Sequence, residues 1–505
     1  MAQGALFFQY EAETTASGVT SLGGLPVYLD LIKASGMAGA IGKYVRVAGD
    51  QGWLDVQMIL ALIFLNLAGG DGLEDLEQLE QDSGFSQVMK EIERGLLRRA
   101  ERRSLTARWR KPRTRVLPSP SSMADWLARF HDPEAELERR SGTAFIPAMT
   151  DRIRSLWQVN QSLLGFLQTH RRECVATLDM DATLVETHKR EALFCYKGFK
   201  AYQPLNCWWA EQGVMLHSEF RDGNVPAGHQ QLRVLKDCLD SASAAGVGKV
   251  YLRSDSAGYQ QDLLLYCGEG RDARFGVIEF AVSADVTREF RAAVQATPEA
   301  DWQPLYRTVA GERYQTDQEF AEICFVPNWA AHSKKQADYR FLAIREPLRQ
   351  LDLGDGEQLP FPTEEFADKG RFKLFGLVTN RTLPGDQVIW WLRERCGKSE
   401  EVHAVMKTDL AGGRMPMGRF GANAAWWAIM ILAHNLNAVM KRLVLGPAWV
   451  ARRMKALRFA LINLPGRIIR HGRRLSIRVS AAGQTLAMLL QARQTILALA
   501  LEPDG

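Results

Sequence analysis

The chain has 505 residues, 46% of them hydrophobic and 24% charged, and a net charge of +5. This length is too great for one compact core, so two to four domains are expected, with the composition of an ordinary soluble globular protein. The seven cysteines show no CxxC spacing and no zinc pattern with histidine, which excludes a zinc framework and indicates a reducing compartment.

The first 135 residues predict a helical region. The stretches "LPVYLDLIKASGMAGAIGKYV" and "DVQMILALIFLNLAGG" repeat apolar residues at helical spacing. In "LPSPSSMADWLARF", Pro118 and Pro120 interrupt the chain, and Ser121 or Ser122 is predicted to cap the helix that follows. Short helices beside a basic cluster, Arg94 to Arg115, suit a DNA-binding module, although the pattern fits a plain helical bundle equally well.

From Cys174 the pattern changes to strands. The order through "CVATLDMDATLVET" to "YLRSDSAGYQQDLLLYC" is β-β-β-α-β-α, which predicts a mixed sheet. Residues 276–375 are strand-like again, and a long helical region starts near Asp386. The last segment, 446–505, is basic and ends in an apolar helix. The apolar runs Met58–Ala68 and Ala424–Val439 are interpreted as buried helices, so no membrane association is expected.

Carboxylates recur at the ends of these predicted elements. Asp179 and Asp181 lie two residues apart on one strand and therefore on the same face. Asp255 lies where a second strand stops and a helix starts, a position where open α/β sheets place their chemistry. A solvated pair on an edge strand would explain the first two aspartates equally well.

A third acidic element is the helical stretch "SEEVHAVMKTDLAGG". Glu400, His403, Ala404 and Lys407 are predicted to share one helical face. One strand aspartate, one strand-end aspartate and one helix glutamate can converge on a pair of divalent cations. Magnesium prefers oxygen ligands, and two such ions hold the attacking and leaving oxygens of a phosphodiester.

The basic residues of the C-terminal part indicate a polyanion as partner. Residues 441–478 contain no Asp or Glu. Their cations are Lys441, Arg442, Arg452, Arg453, Lys455, Arg458, Arg467, Arg470, Arg473, Arg474 and Arg478. A solvated face is the alternative for any single run of charge, but two one-sided clusters interleaved with aromatic residues favour nucleic acid.

Four motifs in the same order, "LDMDAT", "YKGFKAYQPL", "LRSDSAGY" and "SEEVHAVMKTDLAGG", resemble the signature blocks of DDE-class insertion-sequence transposases. The chain is most like the insertion sequence 1380 family, and "EFRDGN", "GLVTN", "LPSPSSMADWLARF" and "RIIRHGRRLSIRV" extend the resemblance along most of its length. The resemblance implies an α/β (mixed) catalytic core that is ribonuclease H-like, with a β-rich insertion and helical N- and C-terminal regions. The implied domains are a DNA-binding or dimerisation region (1–135), the core in two parts (136–275 and 376–445), the insertion (276–375) and a basic C-terminal region (446–505).

The resemblance also implies residue roles. Asp181, Asp255 and Glu400 would be the catalytic and metal-binding carboxylates, holding two Mg²⁺ or Mn²⁺ ions. Lys407 would contact DNA phosphate. The family places an arginine four residues before the glutamate, where this chain has Cys396, with Arg395 one step away. Either Arg395 takes that role or Glu401 is the true ligand, and Asp179 competes with Asp181 in the same way.

The sequence therefore predicts a cut-and-paste DNA transposase. Water would attack the phosphodiester at each element end, and the freed 3′-OH would attack target DNA. Its expected partners are double-stranded DNA, as terminal inverted repeats and target, and a second copy of the chain on that DNA. The predicted DNA contacts are Lys407, Arg395, Arg467, Arg470, Arg473 and Arg474. The expected location is the bacterial cytoplasm, at the nucleoid when bound. The alternatives are a nuclease of the same fold without strand transfer and an inactive, domesticated DNA-binding protein.

Overall fold

The computed structural model describes residues 18–327, 339–348, 361–366, 369–471, 474–480 and 483–501. The chain divides into two compact units. The first unit comprises Met1–Glu136, Ala148–His170 and Val405–Gly505, and the second comprises Leu137–Pro147 and Arg171–Ala404. Arg473 lies outside the described residues. The division into five domains made from the sequence stays a prediction.

The part of the chain before residue 171 is mostly helical. Its elements are β1 Val19–Thr20, α1 Val27–Ala34, α2 Met37–Tyr44, α3 Asp55–Ala68, α4 Leu76–Gln81, α5 Ser83–Leu96, α6 Arg99–Ser104, α7 Pro120–Ala128 and α8 Asp151–His170, with a 3₁₀ turn at Leu73–Asp75.

The second unit carries most of the strands. Its elements are β2 Val175–Ala182, β3 Val185–Glu186, β4 Leu193–Phe194, β5 Lys200–Tyr202, β6 Leu205–Trp209, β7 Val214–Glu219, α9 Gln231–Ala244, β8 Lys249–Ser254, α10 Gln261–Gly268, β9 Glu279–Ala284, α11 Arg288–Ala296, β10 Gln303–Val309, β11 Glu312–Ile323, β12 Arg340–Pro347, β13 Thr363–Phe366, β14 Gly370–Thr379, α12 Gly385–Arg393 and α13 Lys398–Ala404, with 3₁₀ turns at Ser256–Gly258 and Glu299–Asp301.

The remainder of the chain belongs to the first unit. Its elements are α14 Phe420–Val439, α15 Pro447–Val450, α16 Met454–Leu457, β15 Gly466–His471, β16 Arg474–Val479 and α17 Gly483–Leu501, with π-helical segments Val405–Asp409, Met440–Leu445 and Arg458–Ile462 and a 3₁₀ turn at Ala411–Gly413.

Helix α14 is the core of the first unit, and every one of its residues is buried. It packs on α3 and α8. Its buried polar groups find partners there, because the Asn435 amide donates to Asn160 and the Asn437 oxygen accepts from the Tyr28 hydroxyl. Helix Phe420–Leu445 is long and apolar enough to cross a membrane by length and composition, but 72% of its most apolar window is buried within the protein. The predicted buried helix is thus found.

The N-cap of α7 differs from the predicted one. The N-cap is Ser119, whose hydroxyl oxygen accepts a hydrogen bond from the Ser122 backbone N–H. It is neither Ser121 nor Ser122, the two residues predicted from the sequence. Pro120 is the first helical residue, where its fixed φ suits the helix and its missing N–H is not needed. The prediction treated this proline as a break, which displaced the cap by two or three residues.

A sheet of ten described strands forms the centre of the second unit, which confirms a mixed α/β architecture with a large sheet. Its order is β10-β11-β12-β14-β9-β8-β2-β6-β7, and β13 pairs with β14. Strand β8 is parallel to both β2 and β9, and the other pairings are antiparallel. The strands between 279 and 379 therefore extend the same sheet that carries Asp181.

Candidate active site

The register of the sheet brings Asp181 and Asp255 to neighbouring strand ends. Strands β2 and β8 run parallel, and Met180 pairs with Ser254. One residue further along each strand lie Asp181 and Asp255. Neighbouring strands are about 4.8 Å apart, so these two aspartates lie side by side where the strands end.

The Asp181 carboxyl is electrostatically strained. Burial raises its pKa to about 6, the nearby Arg395 opposes that rise, and the charges of Asp255 and Glu400 add to it. Glu401 is not among the groups that chiefly shift the Asp181 pKa. The three carboxylates chosen from the sequence thus share one electrostatic neighbourhood, although Glu400 itself is exposed.

Asp179, the competitor of Asp181, is engaged in a buried ion pair. Its Oδ1 and Oδ2 accept from Nε and Nη2 of Arg253 at 2.6 and 2.9 Å, and only 1% and 2% of the two side chains are exposed. The remaining guanidinium nitrogen, Nη1, donates to the Trp391 carbonyl and to Glu394. Asp179 therefore joins β2, β8 and the end of α12, and both its oxygens are occupied.

The chain between α12 and α13 explains the displaced arginine. The helix breaks after Arg393, and Gly397 adopts a φ of +79°, which L side chains rarely take. Arg395 lies in this turn and places Nη2 3.4 Å from Asp181 Oδ2. A break in the helix changes the angular relation between Arg395 and Glu400, so the one-residue shift in sequence does not prevent contact with the carboxylate site.

His403 and Asn206 are site residues that the sequence reasoning missed as functional. His403 Nδ1 lies 4.0 Å from Asp181 Oδ2, and its Nε2 lies 3.1 Å from the Asn206 amide nitrogen. Asn206 pairs with Asp181 across β2 and β6 and accepts from the Ser218 hydroxyl. A buried asparagine in the apolar strand "LNCWW" was the available signal.

Asp255 keeps one carboxylate oxygen on the backbone. Its Oδ1 accepts from the Ala257 N–H and so caps the 3₁₀ turn Ser256–Gly258. A Cβ on Gly258 would lie 2.5 Å from the Ser254 side chain, so the turn folds tightly over the strand only because this residue is glycine. The "SDSAG" stretch thus fixes the direction of the Asp255 side chain.

The predicted DNA contacts fall in different surroundings. Arg395 is largely buried beside Asp181. Lys407 lies in the π-helical segment Val405–Asp409 of the first unit, so the α-helical face predicted to hold it ends at Ala404. Arg467 is exposed on β15, whereas Arg470 forms an ion pair with Glu91 at 2.8 Å. Arg474 begins β16. These DNA contacts stay predictions.

The N-terminal basic cluster is partly structural. Arg108 donates to the carbonyls of Gly49, Gly52 and Trp53, and Arg113 makes a two-fold contact with Glu93. Other cations of the cluster are exposed, among them Arg99, Arg102, Arg103, Arg110 and Lys111.

The donor set suits a hard divalent cation in chemistry. Within the described residues, however, no group of three or more His, Cys, Asp or Glu side chains is close enough together to hold a metal ion. Asp181 nevertheless carries a desolvated charge that Arg395 meets only at 3.4 Å, and a cation there would compensate it. The acidic residues therefore fit a metal in chemical type, while their arrangement as a ligand set stays a prediction.

Comparison with known proteins assigns the class. The chain matches the family model described as "Transposase DDE domain group 1" over residues 9–501. It therefore belongs to this family and is a DNA transposase, an enzyme of DNA recombination that moves a mobile element. DDE transposases generally use divalent metal ions.

None of the curated proteins matches the chain. Among solved structures, it is similar to the cryo-EM structure of the piggyBac transposase synaptic complex with hairpin DNA, at 10% identity and a TM-score of 0.45, over 88% of this chain and 81% of that one.

Proposed function

We propose that this transposase moves its element by cut-and-paste transposition, with Asp181, Asp255 and Glu400 as the catalytic carboxylates. A water molecule attacks the phosphodiester at each element end and releases a 3′-OH. This 3′-OH then attacks target DNA. The observation that carries this proposal is the pairing of Asp181 and Asp255 at parallel strand ends with the charge of Glu400 acting on the first of them.

The same three carboxylates would hold the divalent ions, Mg²⁺ or Mn²⁺, two per site. When bound, the ions would supply Lewis-acid stabilisation of the attacking and leaving oxygens. The strands supply a fixed pair of ligands, whereas Glu400 lies on the short helix α13 beyond the Gly397 break. The glutamate is therefore the ligand whose position adjusts most readily.

The surrounding residues orient Asp181. Arg395 and His403 approach the same oxygen, Oδ2, from the turn and from α13. The Ser218–Asn206 hydrogen bond holds the amide that contacts the histidine ring. The Asp179–Arg253 pair lies two residues earlier along both strands, on the same face, and ties the two catalytic strands to α12. Asp179 thus acts as a positioning residue and Asp181 as the ligand.

The fold supports a ribonuclease H-like core. The strand order β7-β6-β2-β8-β9, with an antiparallel hairpin followed by parallel neighbours, places the two aspartates on the central strand and the next one. The signature blocks favour membership of the insertion sequence 1380 family, and from that membership we propose a bacterial, cytoplasmic protein without membrane association. Binding both element ends at once requires two catalytic sites, so the functional form is proposed to be a homodimer on DNA.

The decisive experiment uses the inverted repeats that flank the coding gene as end substrate. Wild-type protein with Mg²⁺ should cleave this duplex and join its 3′-OH to a target plasmid. Asp181→Asn, Asp255→Asn and Glu400→Gln should each abolish both steps and leave DNA binding intact, while Glu401→Gln, the matched control on the same helix, retains them. Cleavage without joining would favour the nuclease instead, and full activity of any of the first three variants would refute the site.

A further inference from the structure

The C-terminal hairpin of β15 and β16 has two chemically different faces. Strand β15 is the middle strand of a three-stranded sheet, order β1-β15-β16. Alternation along a strand places Ile468 and Arg470 on one face and Arg467 on the other. Ile468 is 7% exposed and pairs with Ile477, so the first face is the inner one.

Arg470 shares its strand face with Ile468 and is already paired, although 66% of its side chain is exposed. Its Nη1 contacts Glu91 of α5 at 2.8 Å, and β15 packs against that helix. This surface ion pair attaches the hairpin to α5, which distinguishes Arg470 from arginines of the hairpin that have no acidic partner in the described part of the chain.

The outer face is arranged differently. Arg467 and Arg478 occupy directly opposed positions of the antiparallel pair, and both are exposed. Neither has an acidic partner among the residues that the structure describes. Like charges at opposed positions destabilise a strand pair. The two arginines therefore repel each other, and an acidic or neutral residue at either position would remove this repulsion.

An anion lying across both strands removes that repulsion. We propose that the outer face of this hairpin, through Arg467 and Arg478, binds the sugar–phosphate backbone of DNA. Guanidinium groups recognise phosphate oxygens with two parallel hydrogen bonds. The contact is to the backbone, so it holds any duplex and carries no base sequence. This inference rests on the proposed DNA transposition and specifies which side of the basic tail faces DNA.

The test compares charge-matched variants of the full-length protein. Binding to an element-end duplex and to an unrelated duplex is measured by fluorescence anisotropy over a series of NaCl concentrations. Arg467→Gln with Arg478→Gln should weaken both complexes roughly tenfold or more at 0.1 M salt and flatten the slope of log affinity against log salt by about 1.8, since each phosphate contact contributes about 0.9. Arg470→Gln, the control on the same strand, should leave the slope unchanged.

Thermal unfolding without DNA gives the second readout. The double variant should melt at or slightly above the wild-type temperature because the opposed charges are gone, whereas Arg470→Gln should melt lower or at the same temperature. An unchanged salt slope in the folded double variant, an equal loss in Arg470→Gln, or no DNA binding by the wild type would each overturn the proposal. Cleavage by the double variant is measured separately, at saturating protein. A protein that binds DNA through this face but does not cleave it would refute only the catalytic proposal.

Discussion

Replacing each of the two strand aspartates by asparagine should change stability in opposite directions. Asp181 is ionised at pH 7, but its pKa is raised from 3.8 to about 6, mainly by burial. The folded state therefore holds its proton more tightly than the unfolded state, and the charge costs stability at every pH above about 6. A shift of this size corresponds to about 3 kcal/mol. Asp181→Asn escapes that cost, so it should raise the free energy of unfolding by up to about 3 kcal/mol at pH 7, with the gain fading between pH 6 and 4.

Asp179→Asn should do the reverse. Burial raises the pKa of Asp179 as well, but its carboxylate is the partner of a buried guanidinium, and that pairing decides the direction. It removes the anion from a buried guanidinium that is 2% exposed, and breaking such a pair from one side costs about 3–5 kcal/mol. Glu394→Gln removes the exposed partner of the same arginine, 60% exposed, and should cost less than about 1 kcal/mol. It is therefore the control for loss of charge around Arg253.

The assay combines urea unfolding without metal and cleavage of an end duplex with Mg²⁺. Asp181→Asn should be stable, should lose cleavage, and should no longer gain stability on addition of Mg²⁺, because a ligand stabilises only the state that binds it. Asp179→Asn should unfold at lower urea yet keep some cleavage per folded molecule. A stable Asp179→Asn without activity, or a destabilised Asp181→Asn, would show that the two roles are reversed.

Three further outcomes are expected. Glu400→Gln should lower Mg²⁺-dependent cleavage at least a hundredfold while Glu401→Gln stays near wild type, and the opposite ranking in a single-turnover assay would move the third ligand by one residue. Burial lowers the pKa of His217 and of His434 to about 4, so the unfolded state binds more protons between pH 6.5 and 4. The free energy of unfolding should therefore fall as pH decreases through that window, by up to about 3 kcal/mol for each histidine; a urea midpoint that stays flat down to pH 4 would contradict it. Asp409→Ala removes a fully buried acid from Arg453 and Lys455, whose side chains are 42% and 67% exposed. It should destabilise the first unit by about 1 kcal/mol in thermal unfolding, and an unchanged melting temperature would contradict that expectation.

The sequence by itself determined the class of the protein and the positions of its acids. The ordered blocks around Asp181, Asp255 and Glu400 gave the transposase family, because each block couples a strand or helix end to a residue type that its chemistry needs. Local periodicity was also sufficient to predict α14 as a helix, since its twenty residues carry no Asp, Glu, Lys or Arg. Those signals lie in short stretches of sequence, so they can be read without knowledge of the folded structure.

Only the tertiary structure distinguished residues that look equivalent along the chain. Periodicity places Asp179 and Asp181 on one face, but only the fold gives Asp179 its bond to Arg253, 74 residues away. Likewise Arg467 and Arg470 belong to one basic run, yet only the fold gives Arg470 its ion pair with Glu91, 379 residues away in sequence. The cost of a buried charge depends on the partner that folding brings to it, and partners distant in sequence leave no trace in a local pattern.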